Sequence, residues 1–333
     1  MNTPETLVLR SRDVRELLPV DDCIAAVEAA FLSHERGEAP PPAVLGVRCG
    51  EGGFHVKAAV LSPGLAFFAA KLNANFPANP ERFGLPTIQG VVALCDARDG
   101  RLLALMDSIE ITRLRTGAAT AVAARHLARP ESSALTMYGC GRQGRVQVES
   151  LCRVLPIRRV WTYDLRPEAS AQLCRELSDL GTVTAEPADQ GAIGARARES
   201  DVIVTCTSAR RFILSRQEVR PGTFIAAVGA DDAGKQELEP ELMAASTVVA
   251  DLLDQCAQIG DLHHAIAAGA MRRDDVHAEL GEVLAGTRAG RSSADEITVF
   301  DSTGTALQDV AAAAVVYQRA VLEGRGIPVA MGD

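Results

Sequence analysis

Residues 134–144 read Ala134-Leu135-Thr136-Met137-Tyr138-Gly139-Cys140-Gly141-Arg142-Gln143-Gly144, and their reading decides the fold. A short β-favouring run enters G-x-G-x-x-G, and a helical stretch follows over Arg145 to Leu155. Asp164 lies 20 residues beyond Gly144, at the end of the next strand-like run, Val160-Trp161-Thr162-Tyr163. Each part has a physical task in binding a dinucleotide. Gly139 permits the tight turn. Gly141 puts no side chain between backbone and pyrophosphate. Gly144 lets the helix pack close to the strand. The helix N-terminus offers unpaired N–H groups and a positive dipole end to the phosphates. Asp164 is placed to accept from the adenosine ribose hydroxyls and to repel a 2′-phosphate. The expected cofactor is therefore NAD(H), with NADP(H) disfavoured, although Arg166 softens that preference.

At 333 residues the chain is long enough for about two domains of roughly 150 residues each. The fingerprint opens only at residue 139, so a separate domain is expected before it. The hydrophobic and charged fractions, 47% and 23%, are those of an ordinary soluble globular protein. A net charge of −9, with no dense Lys/Arg patch, argues against nucleic acid as a partner. The N-terminus lacks the basic start and apolar core of a secretory signal. No apolar run reaches the roughly 18 residues a membrane span needs. The eight cysteines form no C-x-x-C pair, and the six histidines show no metal spacing. These features predict a cytoplasmic protein with reduced thiols, no metal, and a small-molecule partner. Cys140, inside the glycine loop, reads as a small side chain tolerated in a turn.

Before the fingerprint the pattern is mixed. A helix capped by Asp21 or Asp22 runs to about Arg36 and is broken by Pro40, Pro41 and Pro42. Strand-like runs follow at 43–48, 54–60, 66–73, 90–95 and 102–107, with Asp96 to Gly100 as a hairpin turn. They suit a largely antiparallel sheet with helices beside it. An Ala-rich helix from Thr112 to about Ala128 leads into the second part. There, strands at 134–138, 159–163, 182–185, 201–205, 223–228, 247–250 and 297–300 alternate with helices, as a parallel doubly wound sheet requires. A last helix, capped by Ser302, runs to about Leu322. The predicted class is α/β: a doubly wound Rossmann-type parallel sheet domain over 121–304, and a mixed α+β substrate and dimerisation domain over 1–120 to which 305–333 returns.

Ligands of open α/β sheets bind beyond the carboxyl ends of the strands. Thr205-Cys206-Thr207 and Val228-Gly229-Ala230-Asp231 end two of them, so both segments point at the cofactor. Gly229 and Ala230 are small enough to lie beneath a nicotinamide ring. Asp231 then stands where a proton donor or acceptor is useful; read as a cap on a helix over Glu237 to Met243, it has no chemistry, and the residues alone leave both readings open. Arg48, Lys57, Lys71, Arg113 and Arg115 are cations of the first domain. Lys71 sits in the apolar run Ala66-Phe67-Phe68-Ala69-Ala70-Lys71-Leu72, where burial demands an anionic partner. Strand alternation can simply expose Lys57 and Lys71 to water, and for either lysine taken alone that is the better reading. Several cations opposite a cofactor domain favour a carboxylate-binding pocket.

The chain resembles the ornithine cyclodeaminase/μ-crystallin family over nearly its whole length. The resemblance is carried by ITRLRTGAATAVAARHLA (111–128), YGCGRQG (138–144), VGADDAGKQEL (228–238) and ELGEVLAGTRAGRSSADEITVFDSTGTALQD (279–309). It implies a homodimer that uses NAD(P)(H), with the first domain and final helix forming the substrate and dimer part. By motif, it implies that Arg48 and Lys71 hold a substrate α-carboxylate. Arg115 would contact cofactor phosphate or substrate. Thr87, Arg142, Gln143, Asp164, Thr207, Lys235 and Ser302 would line the cofactor, and Thr303 would border the substrate. Asp231 would be the catalytic acid/base, with Lys71 as the second catalytic residue. Family members share hydride exchange between nicotinamide and a carbon bearing nitrogen. The cyclodeaminases carry an acid in the strand before Lys71; here that strand reads His55-Val56-Lys57-Ala58, which repels an ammonium-tailed substrate and suits a neutral ring or a second carboxylate. The expected activity is an NADH-dependent imine (ketimine) reductase or amino-acid dehydrogenase, acting for example on pyrroline-2-carboxylate or iminosuccinate. The alternatives are an ornithine cyclodeaminase, forming proline and ammonia with NAD recycled, and a non-catalytic binding protein.

Overall fold

A computed structural model of the chain describes residues 5–62, 66–179 and 181–331. These fall into two compact units, one made of Met1–Arg115 with Thr305–Asp333 and the other of Thr116–Gly304.

In the first unit, strands β1 (Glu5–Leu9), β2 (Ala43–Cys49), β3 (Gly52–Leu61), β4 (Phe67–Asn75), β5 (Ile88–Asp96) and β6 (Leu102–Asp107) join a C-terminal strand, Ile327–Ala330. The sheet order is C-terminal strand, β1, β6, β5, β4, β3, β2. All pairs are antiparallel except β1 with β6. The helices Val20–Glu35 and Ala306–Glu323 pack on each other, and the second lies against β3 and β4. Their apolar stripes explain this: Ile24, Val27 and Phe31 on one, and Val310, Ala313 and Val316 on the other, are fully buried. The turn after β5 forms as expected, with Gly100 at φ +78 donating its N–H to the Asp96 carbonyl.

Register fixes which side chains of this sheet share a face. Lys57 on β3 is paired directly with Lys71 on β4, so their side chains leave the same face side by side. His55 opposite Asn73, and Arg48 opposite Gly53, belong to that face too. Leu45, Val47, Phe54 and Leu72 belong to the other face and are exposed by 60%, 50%, 38% and 41%.

The second unit contains β7 (Ala134–Tyr138), β8 (Arg159–Tyr163), β9 (Thr184–Pro187), β10 (Val202–Thr205), β11 (Arg210–Leu214), β12 (Phe224–Ala227), β13 (Gln236–Leu238), β14 (Thr247–Ala250), β15 (Ala278–Glu279) and β16 (Thr298–Asp301). Eight of these form a parallel sheet in the order β15-β14-β16-β12-β10-β7-β8-β9, and β11 pairs with β13 alone. The central strands β10, β12 and β16 are buried at every residue, as strands covered on both faces must be. The strand order reverses between β7 and β10. That is the topological switch point of a doubly wound sheet, where ligands bind.

Five local expectations need correction. The helix Val20–Glu35 starts at Pro19 rather than with an Asp21 or Asp22 cap; proline pre-sets φ there and has no N–H to satisfy. The Ala-rich helix begins earlier, at Ser108, because the Asp107 carboxylate accepts from the Ile109 and Glu110 N–H groups. The helix after the glycine loop is Arg142–Leu151, not 145–155. Ser302 caps nothing: its hydroxyl lies on Asp251, and Gly304 at φ +75 holds the chain out of helix until Ala306. Likewise the segment taken for a helix from Glu237 is strand β13, and the helix is Pro240–Ala244.

Candidate active site

In the second unit the glycine loop is built as its sequence requires. Gly139 has φ +93, and a Cβ there would lie 2.4 Å from the Cys206 carbonyl oxygen. It binds the neighbouring strand end through its N–H, donated to the Tyr163 carbonyl at 2.8 Å. A Cβ on Gly141 would meet no protein atom within 4 Å, so the space it leaves open is space for a ligand. A Cβ on Gly144 would press on Leu173 at 3.0 Å and the Gly139 carbonyl at 3.1 Å. Its close approach is thus to the next helix, Pro167–Ser178, and to the loop itself. The helix Arg142–Leu151 has Gly141 as its N-cap, no side-chain cap and no acid in its first turn. Its positive dipole end is therefore not neutralised by a capping side chain or a first-turn acid. Arg142 in that turn is exposed and Gln143 half-buried.

Asp164 ends β8. One carboxylate oxygen accepts from the Cys140 N–H at 2.9 Å and the other from the Arg166 N–H at 3.0 Å. The carboxylate is thereby locked against the glycine loop, with the Arg166 guanidinium 3.7 Å away on an exposed side chain. Cys140 is buried in the loop, and burial pushes its thiol up to about 12, so it is inert at neutral pH.

The loops after β10 and β12 are joined by a residue the sequence reading did not single out. Glu237, fully buried, accepts from the Thr207 N–H at 2.6 Å and the Thr207 hydroxyl at 2.7 Å through one oxygen. Its other oxygen accepts from the Gly229 N–H at 2.8 Å. The Thr207 hydroxyl has spent its one proton on Glu237, so toward a ligand it is only an acceptor. Gly229 is required for a reason beyond a ring overhead: a Cβ there would strike Glu237 Oε1 at 2.4 Å and the Thr207 carbonyl at 2.5 Å. Val228, Gly229 and Ala230 are all buried. Asp231, which follows, is 55% exposed and pairs with Lys235 at 2.5 Å. Burial disfavours the Lys235 ammonium, but Asp231 and Glu237 outweigh it and raise its pKa. His264 donates to the Lys235 carbonyl at 2.7 Å and steadies that turn.

Ser302 and Thr303 follow β16 at the same end of the sheet. Both are buried on Asp251, which accepts from the Thr303 hydroxyl at 3.0 Å and the Gly304 N–H at 2.7 Å. Both hydroxyls lie on Asp251 inside the unit.

In the first unit Lys71 has the anionic partner its burial demanded. Its ammonium lies 2.7 Å from Asp309 and 3.4 Å from the Thr112 hydroxyl, and the residue is 4% exposed. Asp309, on the C-terminal helix, also accepts from Arg115 at 3.1 Å, and Arg115 donates to Gln308 at 2.8 Å. Burial pulls the Lys71 pKa from 10.5 to about 7; Asp309 resists, while Arg115 and Lys57 add to the fall. Burial also works to raise Asp309, but Lys71 and Arg115 hold it below the usual carboxylate range. Two lysines and Arg115 thus gather around one carboxylate.

Arg48 shares the face of Lys71 but sits four residues along β2 from the Lys57 row, roughly 13 Å at about 3.3 Å per residue. It does not form part of the buried cluster. Arg113 is paired with Glu110 at 3.0 Å. The Thr87 carbonyl accepts from the Phe76 N–H at 2.8 Å, and the residue is half-buried. Among the described residues no group of histidine, cysteine or acidic side chains has the arrangement of a metal site, and no helix is long and apolar enough to cross a membrane.

Comparison with known proteins agrees with this architecture. The model of the ornithine cyclodeaminase/mu-crystallin family matches residues 4–324. An archaeal alanine dehydrogenase dimer with bound NAD superposes with a TM-score of 0.93 at 38% identity, covering 98% of this chain and 100% of that one. The Δ(1)-pyrroline-2-carboxylate reductase of Thermococcus litoralis, in complex with NADH and L-proline, gives 0.92 at 30% identity over 97% and 100%. The iminosuccinate reductase of Paracoccus denitrificans, in complex with NAD+, gives 0.88 at 33% over 98% and 99%.

Proposed function

The chain belongs to the ornithine cyclodeaminase/mu-crystallin family, and from that premise we propose that it is an NAD(H)-dependent oxidoreductase reducing an imino acid or cyclic ketimine to an L-amino acid. The observation that carries the reading is that one chain holds both a complete dinucleotide loop ending at Asp164 and a buried, ion-paired lysine.

Bound NADH supplies the hydride that reduces the imine carbon. The positive end of the helix that starts after Gly141 would hold the pyrophosphate, and Asp164 would take the ribose hydroxyls, which favours NAD(H) over NADP(H). Lys71, charged below about pH 7, attracts the substrate carboxylate, with Arg115 adding to the field. Asp231, exposed and held in place by Lys235, would pass from solvent the one proton that, with the hydride, turns C=N into CH–NH. Lys57, in register with Lys71, disfavours an ammonium-tailed substrate and so supports reduction over cyclodeamination of ornithine. Substrates of the class of Δ(1)-pyrroline-2-carboxylate and iminosuccinate fit this charge pattern.

A second copy of the chain covers the apolar sheet face of Leu45, Val47, Phe54 and Leu72, giving a homodimer. The eight cysteines are all free thiols, which supports a cytoplasmic location. The test of the activity is NADH oxidation, followed by absorbance, with both imines between pH 6 and 9. Turnover of either supports the reading, and turnover of neither refutes it.

A further inference from the structure

We infer that Glu237 is a positioning residue for the nicotinamide end of the cofactor site, a single carboxylate tying together the two loops on which that end would rest. The inference depends on the dinucleotide reading above.

Three donors converge on Glu237: the Thr207 N–H, the Thr207 hydroxyl and the Gly229 N–H, at 2.6, 2.7 and 2.8 Å. They come from the ends of β10 and β12, adjacent parallel strands at the ligand-binding end of the sheet. Both carboxylate oxygens are used, one for each loop. Glu237 is itself anchored through its backbone. The Glu237 and Leu238 N–H groups donate to Asp261 at 2.7 and 2.8 Å. The Leu262 N–H donates to Asp301, the last residue of β16, at 2.9 Å. The spacing of the loops is thus set by a series of buried carboxylates reaching back to the sheet.

Burying a carboxylate is costly unless hydrogen bonds compensate it, and here they run to the loops at the ligand-binding end of the sheet rather than to a remote part of the core. Gly229 completes the device, because any side chain there would push Glu237 away. Asp231, the proposed proton donor, is two residues beyond Gly229, so the spacing of Glu237 to Gly229 also sets where Asp231 begins.

Glu237→Gln is the test. Glutamine has one acceptor oxygen and one NH2, so an N–H group must face either Thr207 or Gly229, and one loop is released. Three quantities are read on purified dimer: NADH affinity by energy transfer from Trp161, the single tryptophan; ADP-ribose affinity by competition; and kcat and KM with Δ(1)-pyrroline-2-carboxylate. ADP-ribose probes the Gly139 and Asp164 end alone. The expected result is ADP-ribose affinity within twofold of wild type, with NADH affinity and kcat each reduced about tenfold, the worth of one charge-assisted hydrogen bond. Unchanged NADH affinity and kcat would overturn the inference, as would equal losses for NADH and ADP-ribose, which mark a general lesion. If the variant does not fold, Thr207→Val removes one of the three hydrogen bonds and should give the same pattern more weakly; no change there overturns it too. Failure of the wild-type protein to bind NADH is a separate result, and it rejects the cofactor reading itself.

Discussion

Asp309→Asn is the perturbation that bears most directly on the buried charge cluster. Asparagine keeps the size of the side chain and deletes the charge that Lys71 and Arg115 share, at 2.7 and 3.1 Å. The two cations respond differently. Arg115 cannot give up its proton, so it stays charged in a site where it is 5% exposed. Lys71 can: burial has already brought it to about 7, and Asp309 is the main influence holding it there. Without Asp309 it falls further and is neutral at pH 7. Breaking a buried ion pair costs about 3–5 kcal/mol when the remaining charge is stranded; with one cation escaping by deprotonation, a loss of about 3 kcal/mol is expected. Urea unfolding at pH 7.5 measures it. The kinetic consequence follows from the same titration. A carboxylate substrate needs the ammonium, which is present below the Lys71 pKa and lost above it. Wild-type kcat/KM should therefore drop about tenfold per pH unit well above 7, with kcat less affected because bound carboxylate stabilises the ammonium. In Asp309→Asn the same decline should begin at lower pH. An unchanged urea midpoint together with an unshifted pH profile would refute the assignment of Asp309 as the counter-charge.

Three further outcomes are expected. Gly139→Ala must place a Cβ at φ +93 and 2.4 Å from a carbonyl oxygen, so it should lose more than about 2 kcal/mol of stability and the Trp161-to-NADH energy transfer; a variant that binds NADH normally would contradict the loop geometry. Asp231→Asn should lower kcat by about 10²-fold or more while NADH affinity stays within a few fold, read by stopped-flow and equilibrium titration; retained turnover would remove Asp231 from proton transfer. Leu72→Asp places a charge in the exposed apolar sheet face and should give monomers in sedimentation; an unchanged mass would mean that the dimer forms elsewhere.

Most of the second unit was legible because its signals are local. Strands β7, β8 and β14 fall where the sequence places them, since buried parallel strands are short apolar runs bounded by turn residues. The glycine loop and Asp164 were legible because Gly139 and Gly144 each answer a close approach that only a missing side chain allows, and Asp164 follows at the fingerprint's spacing. Helix starts were less legible. At Ser302 a good capping residue was drawn to Asp251, some 50 residues away, and a positive-φ glycine then delayed the helix. Glu237 was missed because its neighbours Gln236 and Leu238 suggest helix as readily as strand. Pairing with β11 decides the matter, and pairing is not written in a three-residue strand. The available signal was an acid eight residues after a strand-ending glycine, within a block already marked by its family resemblance.

The first unit shows a different limit. That Lys71 needs an anion follows only once its side chain is known to be buried, because an unpaired buried ammonium would lose its proton, and strand alternation left its exposure open. Which anion does not follow. Asp309 lies in the last helix, and its bond to Arg115 spans 194 residues, so only the packing of that helix on β3 and β4 brings the three together. The same reasoning separates Arg48 from Lys71 and its buried cluster. Both are cations on strands of one sheet, and both face the same way, yet register separates them along β2 and leaves Arg48 in the open. Charge type can be read residue by residue, whereas a charge cluster is a property of register and helix docking. The Lys71 pKa near 7 exists only because all of these choices coincide.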